Sequence, residues 1–259
     1  MSLATARTGL RLAVGTLTVL PTGHIDRVDR SVARWAMLLG PLAVVPLALL
    51  AGAVSWLADG LDWPRAVAGL VTVATLALGT RALHLDGLAD TVDGLGSGWN
   101  RERALEVMRR GDVGPMGVVA LVLVLGVQAG VIGSLDGGWK SAVAVAVLVC
   151  CSRAALSVVC VQGVRAARPE GLGAAVAGSV PVRWAVATWL VVGGALALVW
   201  SLLSTGVLDG VLVAFVALIA VSTLVAWCVH RLGGVTGDVM GACVELALTV
   251  MLLGAVTRW

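Results

Sequence analysis

Apolar residues fall in long blocks along this chain, and the polar residues gather between them. Seven blocks, near 36–57, 66–83, 116–134, 141–161, 184–204, 208–229 and 239–256, are long enough to cross a bilayer core of about 30 Å at about 1.5 Å per helical residue. Those at 66–83 and 239–256 are short and contain glycine. Residues 8–20 form a further apolar stretch that stops at Pro21; it is expected to lie in the interface or re-enter the membrane. The pattern predicts an all-α, polytopic membrane helix bundle of about seven transmembrane helices, built as one domain over 1–259.

Composition agrees. Mean hydropathy is +1.00, with 59% hydrophobic and 13% charged residues, which excludes an ordinary soluble domain. A net charge of +3 is too small to imply nucleic-acid binding. Cys150, Cys151, Cys160 and Cys243 lie in apolar runs and Cys228 near the end of another. No CxxC occurs, so they read as small apolar filler rather than disulfides or zinc ligands. The five Arg in 1–35 are not followed by an apolar region with a cleavage site, so no cleavable signal peptide is expected. Several of the ten Trp stand near span ends, as interface anchors do.

Charge sets the expected sidedness. Seven spans put 1–35, 84–115, 162–183 and 230–238 on one side, and that side, with Arg81, holds fourteen of the eighteen Lys and Arg. The other side holds Arg65, Lys140 and Arg258, and Arg153 falls within a span. Positive-inside bias places the first side in the cytoplasm of a cell membrane. Every long polar loop then faces cytoplasmic metabolites.

The segment Arg81-Ala-Leu-His-Leu-Asp-Gly-Leu-Ala-Asp-Thr-Val-Asp-Gly94 carries the most chemistry. On a helix, Asp86, Asp90 and Asp93 stand at i, i+4 and i+7, on one face. Three such carboxylates repel, and a hard divalent cation such as Mg²⁺ relieves the repulsion. His84 stands two residues before Asp86. It reads as a hydrogen-bonding residue, or as a base if the helix is broken there. The helix is expected to end at Gly94, Gly96 or Gly98, and a second to run from an Asn100 cap to before Gly111. On it, Glu102 and Glu106 read as surface ion-pair partners. Arg109 and Arg110 are candidate phosphate contacts, because a guanidinium fork matches phosphate oxygens. Arg165, Arg168, Gly171 and Gly173 suit an anionic ligand, although taken alone they read first as ordinary basic cytoplasmic-loop chemistry. Asp238 and Glu245 share a helix face at i, i+7. Glu245 and Arg153, both within apolar runs, either pair with each other or line a polar cavity open to the cytoplasm.

The run His84-Leu-Asp-Gly-Leu-Ala-Asp-Thr-Val-Asp-Gly94 resembles the signature of the adenosylcobinamide-GDP ribazoletransferase family, also called cobalamin synthase. Val113-Gly-Pro-Met-Gly117, Arg168-Pro-Glu-Gly-Leu-Gly173 and Gly233-Gly-Val-Thr-Gly-Asp-Val-Met-Gly-Ala242 agree in order and spacing, as does the opening Leu17-Thr-Val-Leu-Pro21. One departure is visible: before Val113 the family shows an acidic then a basic residue, and here Arg110 and Asp112 stand there. The resemblance implies a Mg²⁺-dependent membrane enzyme that joins adenosylcobinamide-GDP to α-ribazole or its 5′-phosphate and releases GMP. It further implies catalytic roles around Asp86, Asp90, Asp93, Asp238 and His84, with Mg²⁺ on the first three. Arg81, Arg109, Arg110, Arg153, Arg168, Gly171, Gly173, Thr236, Gly237 and Glu245 become candidate substrate contacts. The expected partners are the two substrates and the lipid bilayer, with homo-oligomerisation open. Two alternatives stand beside this: a CDP-alcohol-type membrane phosphotransferase, and a cation transporter using the Asp triplet as its ion site.

Overall fold

The computed structural model describes residues 3–25, 28–203 and 206–256. Arg27 and Arg258, counted in the charge balance, lie outside them. Fourteen helices occur among the described residues, joined by loops with two isolated parallel bridges, Val161 with Val180 and Ala166 with Val235.

Helix α1 (Leu3–Leu17) covers most of the apolar stretch 8–20 and packs against α2 (Arg30–Leu38). The latter starts where the Asp29 carboxylate accepts from the N–H groups of Ser31 and Val32. The block expected at 36–57 is not one continuous helix. It divides into the end of α2, a four-residue α3 (Gly40–Ala43) and α4 (Val45–Gly60). Pro41 and Pro46 explain the breaks: each lacks an N–H and disfavours helical geometry in the residue before it. With 16 residues, α4 is apolar but shorter than the helices long enough to cross a membrane on their own.

The block at 66–83 ends early. Helix α5 (Arg65–Gly79) stops, Arg81 and Ala82 both take φ +55°, and the chain turns through 91° into α6 (Leu83–Gly96). That turn carries the Asp-rich segment out of the direction of α5. After the glycines, α7 (Arg101–Val107) begins at Asn100, whose side chain accepts from Arg103 N at 2.8 Å.

The remaining blocks form long helices: α8 (Pro115–Ser134), α9 (Gly138–Ser152) continued by α10 (Ala155–Val159), α12 (Val182–Leu202), α13 (Val207–Leu232) and α14 (Gly237–Val256). A short α11 (Leu172–Val176) stands in the loop before α12. Five units (α8, α9 with α10, α12, α13, α14) are long and apolar enough to cross a membrane. The bent pair α5–α6 adds a sixth, and α4 is the remaining apolar helix. This is the architecture of a multi-pass membrane protein.

Helix α14 is the axis of the bundle: most of its residues are buried, and α6, α8, α9, α10 and α13 pack around it. Valine and leucine on α8, α12 and α13, such as Val122, Leu190, Leu198 and Leu208, point outward as a lipid-facing surface does.

Candidate active site

The site forms where α6 lies against the start of α14. Gly87 and Gly241 make that contact possible. A Cβ on Gly87 would stand 2.6 Å from Asp238 O, and one on Gly241 would stand 3.0 Å from the Cα of His84. Two helices this close bring their first turns together, and with them Asp86 of α6 and Asp238 of α14.

Those first turns wall a cavity of about 290 Å³. Asp86, His84, Arg168, Gly171, Gly173, Thr236, Gly237 and Asp238 all line it. The loop carrying Arg168 and the loop before α14 are tied by Ala167 N to Val235 O and Val235 N to Arg165 O, both 2.9 Å. Gly173 sits so tightly on this pair that a Cβ would be 3.0 Å from Thr236 Cα. Thr236 donates its hydroxyl to Asp238 Oδ2 at 3.0 Å, which orients that carboxylate. Arg168 donates to Leu105 O at 2.8 Å, anchoring the loop to α7.

Electrostatics couple the acids. Asp90 lies half-buried one turn beyond Asp86, within the field of the negative charges of Asp86, Asp238 and Asp93, which Arg168 opposes. For Arg168 itself burial pulls the guanidinium down from its ordinary value, Asp238 and Asp90 pull it back, and the charge of Arg109 lowers it further. Four carboxylates, Asp86, Asp90, Asp93 and Asp238, thus share this field with two guanidinium groups, a surplus of negative charge. Among the described residues no three His, Cys, Asp or Glu side chains form a ready metal centre as they stand. The donors nevertheless fit Mg²⁺ in kind: carboxylate oxygens, in surplus negative charge, beside a cavity.

The structure separates the other expected site residues. Asp93 is buried, and its two oxygens accept from Gly114 N at 2.7 Å and Gly117 N at 2.9 Å, at the start of α8. His84 does line the cavity, because α6 begins there, yet neither ring nitrogen has a hydrogen-bond partner. Its Nδ1 stands 3.9 Å from Glu245 Oε1, too far for a hydrogen bond. Glu245 lies deeper on α14 and accepts from Gln128 Nε2 at 2.8 Å. Arg153 donates to Val149 O and Ser152 Oγ, both 2.8 Å, and makes no ion pair with Glu245. Arg81 donates to Gly15 O at 2.9 Å, holding α1 to the α5–α6 turn. Arg109 and Arg110 are exposed outside the cavity, and Arg110 pairs with Glu106 at 3.0 Å.

The cavity also contains residues that motif reading does not single out: Thr16 and Leu17 from α1, Met37 from α2, and Glu170. Glu170 stands within the block Arg168–Gly173, which is its only signal in the sequence. Leu17 opens the Leu17–Pro21 block, whereas Thr16 and Met37 have no signal, since a cavity wall has no distinctive spacing.

Fold and site together define a polytopic membrane protein with an acidic, arginine-flanked pocket at the head of its central helix. Residues 9–256 match the model of the cobalamin-5-phosphate synthase family, and the chain belongs to that family. An adenosylcobinamide-GDP ribazoletransferase of Nocardioides sp. is 46% identical over 252 residues, covering 97% of this chain and 100% of the relative. Proteins of the same name from Frankia casuarinae and Bradyrhizobium diazoefficiens are 36% and 35% identical, covering 94% and 95% of this chain and 92% of each relative. No solved structure matches it.

Proposed function

We propose that this chain transfers the phosphocobinamide group of adenosylcobinamide-GDP to a hydroxyl of α-ribazole or its 5′-phosphate, with release of GMP. The observation that carries the reading is the meeting of Asp86, Asp90 and Asp238 beside Arg168, enforced by the Gly87–Gly241 contact in a chain of this family. The acceptor oxygen forms a bond to the cobinamide-side phosphorus, the pyrophosphate P–O bond breaks, and the pair of electrons leaves on GMP.

The chain's own groups account for much of this. Arg168 offers a fixed guanidinium to phosphate oxygens. Thr236 holds Asp238 in place, where it serves either as a metal ligand or as the base that takes the acceptor's proton. Asp86, Asp90 and Asp238 are the residues that would hold Mg²⁺, which when bound would neutralise charge on the leaving phosphate. The apolar wall from α1, α2 and α10 excludes water from one side of the cavity. A corrinoid is far larger than about 290 Å³, so the cavity takes the phosphate end and leaves the ring outside.

Purified protein given adenosylcobinamide-GDP should release GMP only when an α-ribazole acceptor is present. Release without acceptor, or none with it, would overturn the reading. The positive-inside bias supports a cytoplasmic site in the cell membrane. Single cysteines at Ser97 and Gln162 of a Cys-free protein should then label from the cytoplasmic side; labelling from opposite sides refutes this.

A further inference from the structure

Three arginines beside the site direct their guanidinium groups at backbone carbonyls of another segment, and of these Arg168 alone lines the cavity. Arg231, near the end of α13, donates to Leu95 O at 3.4 Å and to Gly98 O, and its guanidinium lies 4.3 Å over the Trp99 ring. It fastens the turn between α6 and α7 to α13. Arg101, in the first turn of α7, works in the other direction. It donates from Nε to Leu232 O at 2.7 Å and from Nη2 to Ala167 O at 3.2 Å. Arg168 donates back to Leu105 O of α7. Arg101 and Leu105 stand at i, i+4 on one face of this helix, so α7 holds the neighbouring loop at Ala167 and at Arg168 together.

The two carbonyls bridged by Arg101 belong to the two segments that carry the site. Ala167 directly precedes Arg168. Leu232 ends α13 and leads through Gly233, Gly234 and Val235 to Thr236 and Asp238. The junction has little slack: Gly233 takes φ +75°, and a Cβ there would stand 2.8 Å from Arg101 Cζ. A planar fork of N–H groups suits two carbonyls at once, whereas lysine offers a single ammonium. With seven residues, α7 is too short to be stable alone and depends on such bonds. A phosphate-binding guanidinium and a working carboxylate must keep a fixed separation, since a displacement of about 1 Å costs on the order of 10²-fold in rate. We infer that Arg101 is a positioning residue of the transfer reaction. It lies outside the cavity, and by joining Ala167 O to Leu232 O it sets where the Arg168 guanidinium stands relative to Asp238. The inference rests on the transferase reading given above.

The test is binding of adenosylcobinamide-GDP to the full-length protein in neutral detergent without acceptor, beside steady-state GMP release with it. Arg101→Met keeps the stem and removes both bonds. It should weaken binding and lower kcat/KM by about tenfold. Arg101→Lys, which can keep one bond, should lose less. A double-mutant cycle with Arg168→Gln separates positioning from a general role in stability. When Arg168 is already absent, Arg101→Met should weaken binding further by less than about twofold. Should Arg101→Met not fold, Arg101→Lys enters the same cycle, with its loss again vanishing in the Arg168→Gln protein. A loss of equal size in both backgrounds, or none in the otherwise wild-type protein, overturns the inference and leaves Arg101 a fastening of the fold alone. Wild-type protein that neither binds adenosylcobinamide-GDP nor releases GMP would instead refute the transferase reading.

Discussion

Helices α6 and α14 each carry two acids seven residues apart, and the members of each pair have different surroundings. At the head of the bundle, Asp86 and Asp238 look into a cavity, and among the described residues Thr236 is the only side-chain hydrogen-bond donor to either carboxylate. Two turns further on, Asp93 and Glu245 are buried and held by donors within the packed helices. Sequence spacing is the same in both cases. What differs is the neighbour: α8 presents two backbone N–H groups to Asp93 and Gln128 to Glu245, whereas among the described residues no donor bonds the Asp86 carboxylate. Acids whose lone pairs are already taken hold helices together; acids left open are the ones available to a ligand.

The largest effect should come from Asp93. Its carboxylate satisfies two of the N–H groups that an α-helix leaves unpaired at its start, and favours the positive end of the α8 dipole. Asp93→Ala leaves both donors without this acceptor, Gly117 N–H buried and Gly114 N–H partly so, at a cost on the order of 3 kcal/mol. Thermal unfolding in detergent should show it as a marked loss of stability. Activity lost with the unfolding midpoint unchanged would move Asp93 into the reacting site and break the comparison.

Asp86→Asn and Asp238→Asn should behave in the opposite way. Each removes a charge from the cavity while keeping shape, so turnover at subsaturating Mg²⁺ should fall tenfold or more, about 1.4 kcal/mol, with the unfolding midpoint preserved. Excess Mg²⁺ should restore part of the loss if the residue is a ligand. If Asp238→Asn is not rescued and its pH–rate profile changes, Asp238 is the base. Normal turnover and metal dependence in both variants would end the assignment.

Much of this arrangement is legible in the residues. The Gly94–Gly98 cluster, the Asn100 cap and the apolar block at 239–256 mark real helix ends, and the Asp-rich segment does lie beside the Thr236–Asp238 block. The 91° turn is not legible, because Arg81 and Ala82 adopt φ +55° without a glycine to announce it. Nor is the diversion of Asp93. Its partners stand 21 and 24 residues on, and Gly114-Pro-Met-Gly117 shows why they are glycines only once the helices are packed: a Cβ at either would run into the carboxylate. Arg81, which reads as a substrate contact, is bound to Gly15 O, a partner 66 residues away that no local pattern reveals.

The smallest effect should be that of Glu245→Gln, and its smallness sharpens the comparison. Glu245 accepts from Gln128 Nε2 at 2.8 Å, a bond that a glutamine carbonyl can replace. Arg153 makes no ion pair with it, being bonded to its own helix and acting only at a distance, and the His84 ring stands 3.9 Å away without a hydrogen bond. An unpaired carboxylate within apolar surroundings is costly, so exchanging it for a neutral amide removes a burden as well as an interaction. The two changes should nearly cancel, leaving stability within about 0.5 kcal/mol of wild type. Transferase activity should stay within twofold, because Glu245 is screened from the cavity by His84. Glu245→Leu separates the roles: it leaves the Gln128 amide only its bond to Thr249 Oγ1 at 3.1 Å and should cost about 1 kcal/mol. A tenfold loss of turnover in the Gln variant, with stability intact, would join Glu245 to Asp238 as a working acid and dissolve the distinction between the two ends of α14.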